Sequence, residues 1–395
     1  LLSPSADAYE KVMQSALSTA RIDDESHIVP SLLDANVVIL ANGNWYKLLA
    51  PKPGNDKIND AVTETTLQGP QSAFSEDVET NLMLLRKRLP WVSLTAEMFK
   101  LGKKSQTKAY LLYDEERADP NIIREFSSKL KGIHAEMIIS TGQVESLITP
   151  SKFRWFPIMV VSERPDRVAL NLSQGKVALL LDGTPYTLIV PAVFYDFISA
   201  MDDLYQSFVV TRALVILRYI GILITVTLPA LYVAVVSYNP EIFKVQFALS
   251  IAGSRSAVPY PSFVEVLFML FLIEALVEAS LRLPRYIGAT ATTVGGLILG
   301  QAAQMAGLVS SIMIIVTSAV AISNFLIPIN AMSFALRIAK YPLIVLASLF
   351  GISGVVSGMF ALILYAANLT SFGKPYFRLF VGEPTVSGYK KGARN

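Results

Sequence analysis

The chain contains no cysteine among its 395 residues, which excludes disulfides, thiolate metal sites and cysteine nucleophiles. Histidine is nearly missing as well. His27 and His134 are the only two, so a histidine-based catalytic or metal centre is not expected. The sequence has no glycine-rich phosphate loop ending in Lys and Ser/Thr, no dinucleotide fingerprint and no His-Glu-x-x-His. It is therefore read as a non-enzyme with no cofactor and no resident metal. Charged residues make up only 16%, against 52% hydrophobic and a mean hydropathy of +0.47, which departs from an ordinary soluble domain. Acidic residues run out along the chain: Asp203 is the last aspartate, and only Glu241, Glu265, Glu274, Glu278 and Glu383 follow it. Residues 1–208 carry a net charge of −5 and residues 209–395 a net +8. An acidic soluble part thus precedes a basic part built on long apolar runs.

The apolar runs set the architecture of the second part. Residues Tyr286 to Leu336 form 51 consecutive positions without a charge, room for a hairpin of two spans of about 20 residues each. Dividing it near Gly307 gives Ile287 to Ala306 and Ile312 to Ile329. Further spans are expected at Tyr219 to Val236, where Pro229 should kink the helix, at Val258 to Ser280, and within Pro342 to Ala367. Ile242 to Ala252 is too short to cross and reads as an interfacial or re-entrant piece. Lys and Arg gather at Arg212/Arg218, Arg282/Arg285 and Arg337/Lys340, which places those junctions and the N-terminal region in the cytoplasm. Five spans satisfy all three junctions but put the basic tail, with Lys374, Arg378, Lys390, Lys391 and Arg394, on the outer side. Either Gly351, Gly354 and Gly358 let the last apolar segment fold back, or Ile242 to Ala252 is a sixth crossing.

The soluble half reads as two small α/β (α+β) subdomains, 1–105 and 106–208, ahead of a helical membrane domain at 209–376 and a polar tail at 377–395. Asn36 to Ala41, the Asn42-Gly43 turn and Trp45 to Leu49 give a hairpin signal. Lys176 to Leu181, Asp182-Gly183 and Thr187 to Val190 repeat it. Ser75 to Leu89 has acidic residues in its first turn and Arg86-Lys87-Arg88 in its last, matching the helix dipole. That position accounts for the basic run without a nucleic-acid partner. Lys108 to Tyr113 and Ala135 to Ser140 are expected as strands, with helices from Asp119-Pro120 to Leu130 and from Gly142 to Ile148. The carboxylate pairs Asp23/Asp24, Glu115/Glu116 and Asp202/Asp203 are expected as solvated faces.

Polar residues inside the apolar runs carry the functional hypothesis. Glu274, Glu278 and Arg282 fall on one helical stripe, with Glu265 about 180 degrees away. In one reading Glu274 and Glu278 ring an aqueous ion path; in the other Glu278 pairs with Arg282 and Glu274 pairs with another helix or subunit. Gln301, Gln304 and Asn324 either line the same path or bond between helices. Gly296-x-x-x-Gly300 and Gly354-x-x-x-Gly358 signal close helix packing.

Several strings taken together resemble a known family. Gln68-Gly69-Pro70 leading through Phe74 and Glu76 to Thr80-Asn81 and Leu85-Arg86-Lys87-Arg88 is similar to the signature of the A subunit of bacterial spore germinant receptors, the GerA family. Glu163-Arg164-Pro165-Asp166, Val177 to Pro191 with Asp182-Gly183, Leu281-Arg282-Leu283-Pro284-Arg285, Gly300-Gln301-Ala302-Ala303 and Ser371 to Tyr376 agree with it in order. Gln71 stands where the family's pattern has a basic residue. The resemblance implies structural or assembly roles for Gly69, Pro70, Phe74, Glu76, Asn81, Arg86, Arg88, Arg164, Asp182, Gly183, Arg282 and Arg285. It further implies a multi-pass protein of the spore inner membrane, working with a transporter-like B subunit and a lipoprotein C subunit. Such a subunit would form a ring, a pentamer by expectation, that conducts monovalent cations when nutrient binds. A paralogue that amplifies germination, a transporter-like subunit and a non-conducting scaffold are the alternatives.

Overall fold

The computed structural model describes residues 20–22, 28, 36–41, 44–49, 59–66, 68–149, 154–282 and 285–379. His27, the Asp23/Asp24 pair, Leu283-Pro284 and the tail residues Lys390, Lys391 and Arg394 lie outside them. Near the N-terminus, β1 (Ala20–Ile22), β2 (Asn36–Ala41) and β3 (Asn44–Leu49) form an antiparallel sheet, with β2 and β3 as the expected hairpin. A two-residue ladder of β4 (Asn59–Asp60) and β5 (Ser72–Ala73) follows.

The main soluble sheet has five antiparallel strands in the order β6 (Leu94–Leu101), β7 (Thr107–Asp114), β9 (Val177–Leu181), β10 (Thr187–Val190) and β8 (Val160–Ser162). Every residue of β9 and β10 is buried, because both faces of the sheet are covered. Helices α1 (Val78–Arg88) and α4 (Pro165–Ser173) pack on each other and on the central strands, whereas α2 (Pro120–Lys131) lies on β6 and α3 (Thr141–Ile148) on β10. The helix starts follow their caps: Asp77, Asp119 and Ser140 each accept a backbone N–H of the first turn. The boundary expected at residue 105 falls in the loop between β6 and β7, which pair along their whole length. Ala135 to Ser140 is not a strand. Its carbonyls accept from Lys103, Lys104 and the Thr107 hydroxyl in the β6–β7 turn, so it spends its hydrogen bonds on a turn instead of a sheet edge.

A short helix, α5 (Phe194–Ile198), and a 3-10 turn (Met201–Leu204) lead into the helical region. Its helices are α6 (Phe208–Tyr238), α7 (Val245–Arg255), α8 (Ser262–Leu281), α9 (Arg285–Met305), α10 (Ser311–Phe325) and α11 (Asn330–Asn368). Among the described residues, α6 and α11 are long and apolar enough to cross a membrane, and α10 is apolar but shorter. The helix α11 is not one rod. At Gly351 the backbone takes φ 62° and ψ −138°, a conformation glycine alone adopts readily. Two arms, 330–350 and 352–368, then lie side by side. A Cβ on Gly358 would meet Leu343 and Leu346 of the first arm, and one on Gly354 would strike the Leu346 carbonyl. The fold-back at Gly351 sits against Tyr238 at the end of α6, while the second arm returns to the soluble region. There the Trp155 backbone N–H donates to the Tyr365 hydroxyl, and Phe156 packs on the Tyr365 ring.

This hairpin fixes the side of the described tail. Beyond α11, β11 (Thr370–Ser371) and β12 (Lys374–Pro375) dock on the soluble region. The Ser371 hydroxyl bridges Ala192 N–H and the Ile158 carbonyl, Phe194 N–H donates to the Tyr376 carbonyl, Lys374 pairs with Asp119 at 3.0 Å, and Phe372 packs edge-on against Phe126. The backbone N–H of Asn121 and the Lys374 ammonium hold the Asp119 carboxyl below its usual range.

Candidate functional site

The family-like motif of the soluble region converges on one socket. Arg164 is fully buried and donates to the carbonyls of Glu64 and Pro70, to the Thr66 hydroxyl and to Asp166. A guanidinium this deep persists only with its donors satisfied. Gly69 takes φ +104°, and any Cβ there would strike the Tyr205 ring. Glu163 accepts from the backbone N–H groups of Val62, Thr63 and Glu64, and its own carbonyl accepts from Phe74. Asn81 braces the start of α1 through Ser75, Asp182 accepts from Val78 N–H, Gly183 N–H donates to the Glu76 carbonyl, and Arg88 reaches Ser72. Gly69, Pro70, Phe74, Glu76, Asn81, Arg88, Arg164, Asp182 and Gly183 thus belong to one connected framework. Among the described residues no side-chain partner joins Arg86 to it, Arg282 stands apart at the C-terminal end of α8, and the side chain of Arg285 lies outside the described set.

From this socket a chain of ion pairs leads to the helices. Arg167 pairs with Glu64 at 3.0 Å and donates to the Asp196 and Ser199 carbonyls; Lys176 pairs with Asp196 at 2.6 Å; Arg218 at the base of α6 grips Asp203 at 2.5 Å and the Ile198 carbonyl. Asp203 is only 7% exposed, so this half of the Asp202/Asp203 pair is a buried anchor and not a solvated face. Asp202 accepts from Gln68 N–H.

The polar candidates of the helical region separate into three environments. Glu265, in the first turn of α8, is 0% exposed and sits in a four-helix knot. It accepts from Ser310 N–H at 2.7 Å, the Tyr232 hydroxyl at 3.1 Å and Arg255 Nε at 3.2 Å. Ser310 is also the N-cap of α10. One carboxylate therefore ties α6, α7, α8 and α10 together.

Glu274 lies further along α8 and faces the first arm of α11. Arg337 donates to it through both Nε and Nη2, and Lys340, 1% exposed, pairs with it at 3.0 Å. A cavity of about 190 Å³ opens beside this cluster, with Asn324, Asn330 and Ser333 on its wall. The Asn324 Oδ1 is buried there without a hydrogen-bond partner. Two sequence candidates from separate helices, Glu274 and Asn324, are thereby brought to one cavity.

The third environment is open. Glu278 pairs with Arg282 along α8 at 2.8 Å, with the two side chains 62% and 79% exposed. Gln301 and Gln304 are exposed on α9, and Gln304 donates to the Ser311 hydroxyl. Helix α9 rests on α8 where Gly295 and Gly296 admit Leu276, whereas Gly300 faces open space. Val294, Leu297, Ile298 and Met305 leave its outer surface apolar and exposed.

Sequence reasoning missed Tyr232, Arg255 and Ser310 as the partners of Glu265, and used Arg337 and Lys340 only for topology. Two cations at i,i+3 spacing between two uncharged runs are the signal that could have found a partner carboxylate for Arg337 and Lys340. Among the described residues no group of three His, Asp or Glu side chains is placed to hold a metal ion.

An α+β region is thus wired by ion pairs to a helical region that carries polar clusters, two of whose helices are long and apolar enough to cross a membrane. The family model described as Bacillus/Clostridium GerA spore germination protein matches residues 3–387, and the chain belongs to that family. It is 34% identical to the uncharacterized membrane protein YfkQ of Bacillus subtilis (strain 168), over 95% of this chain and 74% of that one. It is 35% identical to spore germination protein GerLA of Bacillus cereus, over 88% and 71%, and 38% identical to spore germination protein B1 of Bacillus subtilis (strain 168), over 83% and 68%. A solved structure, the N-terminal domain of the A subunit of the Bacillus megaterium spore germinant receptor GerK3, matches 49% of this chain and 70% of its own at 26% identity and a TM-score of 0.36.

Proposed function

We propose that this protein is the A subunit of a spore germinant receptor, seated in the spore inner membrane with its soluble region on the core side. In this reading identical copies close into a ring, a pentamer by preference, and conduct monovalent cations when germinant is sensed. A transporter-like B subunit and a lipoprotein C subunit are the other receptor components. The chain performs no catalysis and carries no cofactor.

Six traverses by α6, α8, α9, α10 and the two arms of α11 fit the positive-inside pattern better than five. With six, Arg218, Arg282, Arg337, Lys340 and Lys374 all fall at or near the end that carries the soluble region. The observation that carries the channel reading is the α8–α9 face. Helix α9 packs chiefly on α8, and the face the two present holds Glu278, Gln301 and Gln304 exposed beside apolar residues. A surface of that kind suits contact with further copies and a polar lining between them. Glu265 and Glu274 are committed to neighbouring helices and are not part of the proposed path.

Glu278→Gln combined with Gln301→Leu tests this reading. Spores carrying both changes should assemble receptor at normal levels but release cations several-fold more slowly on germinant addition. Normal release would contradict conduction along this face. A scaffold role is the second reading, favoured by the ion-pair chain from Arg164 to Arg218, which suits transmission of a conformational change without conduction. Germination that fails with cation release intact would favour it.

A further inference from the structure

The Glu274 cluster does not balance its charge. Arg337 and Lys340 bring two positive charges against one carboxylate, and no second carboxylate pairs with either among the described residues. Lys340 is almost fully buried and Arg337 largely so, and an uncompensated charge at such a depth is costly. Arg337 spends Nε and Nη2 on Glu274, which leaves Nη1 as a donor beside the cavity. Asn330, exposed at the start of α11, Asn324 and Ser333 add amide and hydroxyl groups to the same wall. Ile273, Val277 and the exposed rings of Phe325 and Phe334 make up an apolar side. At about 190 Å³ the cavity is smaller than the roughly 300 Å³ at which drug-sized sites begin. It suits a single phosphate-sized group and not a nucleoside or a nutrient. Asn330 follows Pro328, which lines a small cavity with Arg164 and Met201, so the mouth lies at the end of the bundle that adjoins the soluble region. Basic pockets between helices at that level are where anionic headgroups bind.

We infer that the cavity between α8, α10 and α11 is a phosphate-class anion site, occupied by the headgroup of an anionic phospholipid whose acyl chains lie against Phe325 and Phe334. The anion completes the charge balance of Arg337 and Lys340, and the apolar rings select a lipid over a free ion. The lipid part rests on the helices lying in a membrane, whereas the excess positive charge does not.

The test uses the full chain, purified in detergent and delipidated, then titrated separately with phosphatidylglycerol, phosphatidylcholine and inorganic phosphate. Retained lipid is read by native mass spectrometry and stability by thermal unfolding. Phosphatidylglycerol should be retained in preference to phosphatidylcholine and should raise the unfolding temperature. Asn330→Asp places a like charge at an exposed rim position where folding is not at risk, and should weaken retention about tenfold. Glu274→Gln, which enlarges the positive excess, should tighten it, a direction that a purely structural role for Glu274 does not give. Inorganic phosphate that stabilises alone and displaces phosphatidylglycerol would keep the anion site and identify a free ion as its occupant. Equal retention of both lipids, or retention indifferent to both variants, overturns the proposal. So does an Asn330→Asp variant that loses its oligomeric mass while binding lipid normally, because a neighbouring copy would then supply the missing negative charge.

Discussion

Two glutamates on one helix end in opposite situations. Glu265 meets one arginine, one hydroxyl and one backbone N–H in a knot closed to solvent, with charges balanced. Glu274, less than three turns along α8, meets two cations beside an open cavity and remains 24% exposed. The first arrangement spends every polar atom on holding helices together, and the second keeps positive charge in reserve. A polar residue in an apolar helix is thus no sign of a path by itself. What separates a tie from a site is whether its partners exhaust it.

The contrast breaks most visibly at Glu265. Glu265→Ala leaves the Arg255 guanidinium without its carboxylate and the Ser310 N–H without its acceptor, and should cost about 3–5 kcal/mol of stability, read as a lowered unfolding temperature that added lipid does not restore. Glu274→Gln should cost less, about 1.5–3 kcal/mol, the worth of hydrogen bonds to a charged group, and phosphatidylglycerol should recover part of it. Equal losses with equal indifference to lipid would erase the distinction. Gly354→Leu tests the frame that holds Arg337 in place. Its side chain has no room against the Leu346 carbonyl, so a loss of about 1–3 kcal/mol is expected, with the tail that docks through Lys374 and Phe372 becoming protease-sensitive.

The smallest expected effect lies outside the helices. Burial raises the Glu145 carboxyl above its ordinary value of 4.5, and Arg154 only partly offsets it. The folded state therefore holds this proton more tightly than the unfolded one, so the contribution of Glu145 to stability falls as pH rises from near 4.5 through the raised folded value. Glu145→Gln should flatten that decline and leave the protein slightly more stable at pH 7, measured as unfolding temperature against pH.

Much of this architecture is legible in the sequence because its signals are local. Asp77, Asp119 and the Asn42-Gly43 pair in the sequence mark their elements from nearest neighbours alone, and the uncharged runs locate the helices. The extended stretch from Ala135 to Ser140 misled because apolar alternation says nothing about whether a sheet edge is available. Gly351 is visible as a glycine, but the fold-back needs the packing of Gly358 on Leu343 to show that both arms return. At the site, Glu274 and Asn324 stand out as polar residues in apolar surroundings, while their shared cavity depends on three helices meeting. Arg255 and Tyr232 give no signal at all, since neither has a local reason to seek Glu265.

In the proposed receptor the exposed α8–α9 face is covered by further copies of the same chain. The subunit number of the detergent-purified protein, measured by native mass and by the symmetry of single particles, tests it most directly. A closed ring of identical copies, five by preference, is the predicted result. A monomer, or one copy beside each partner subunit, would contradict it and remove the central path.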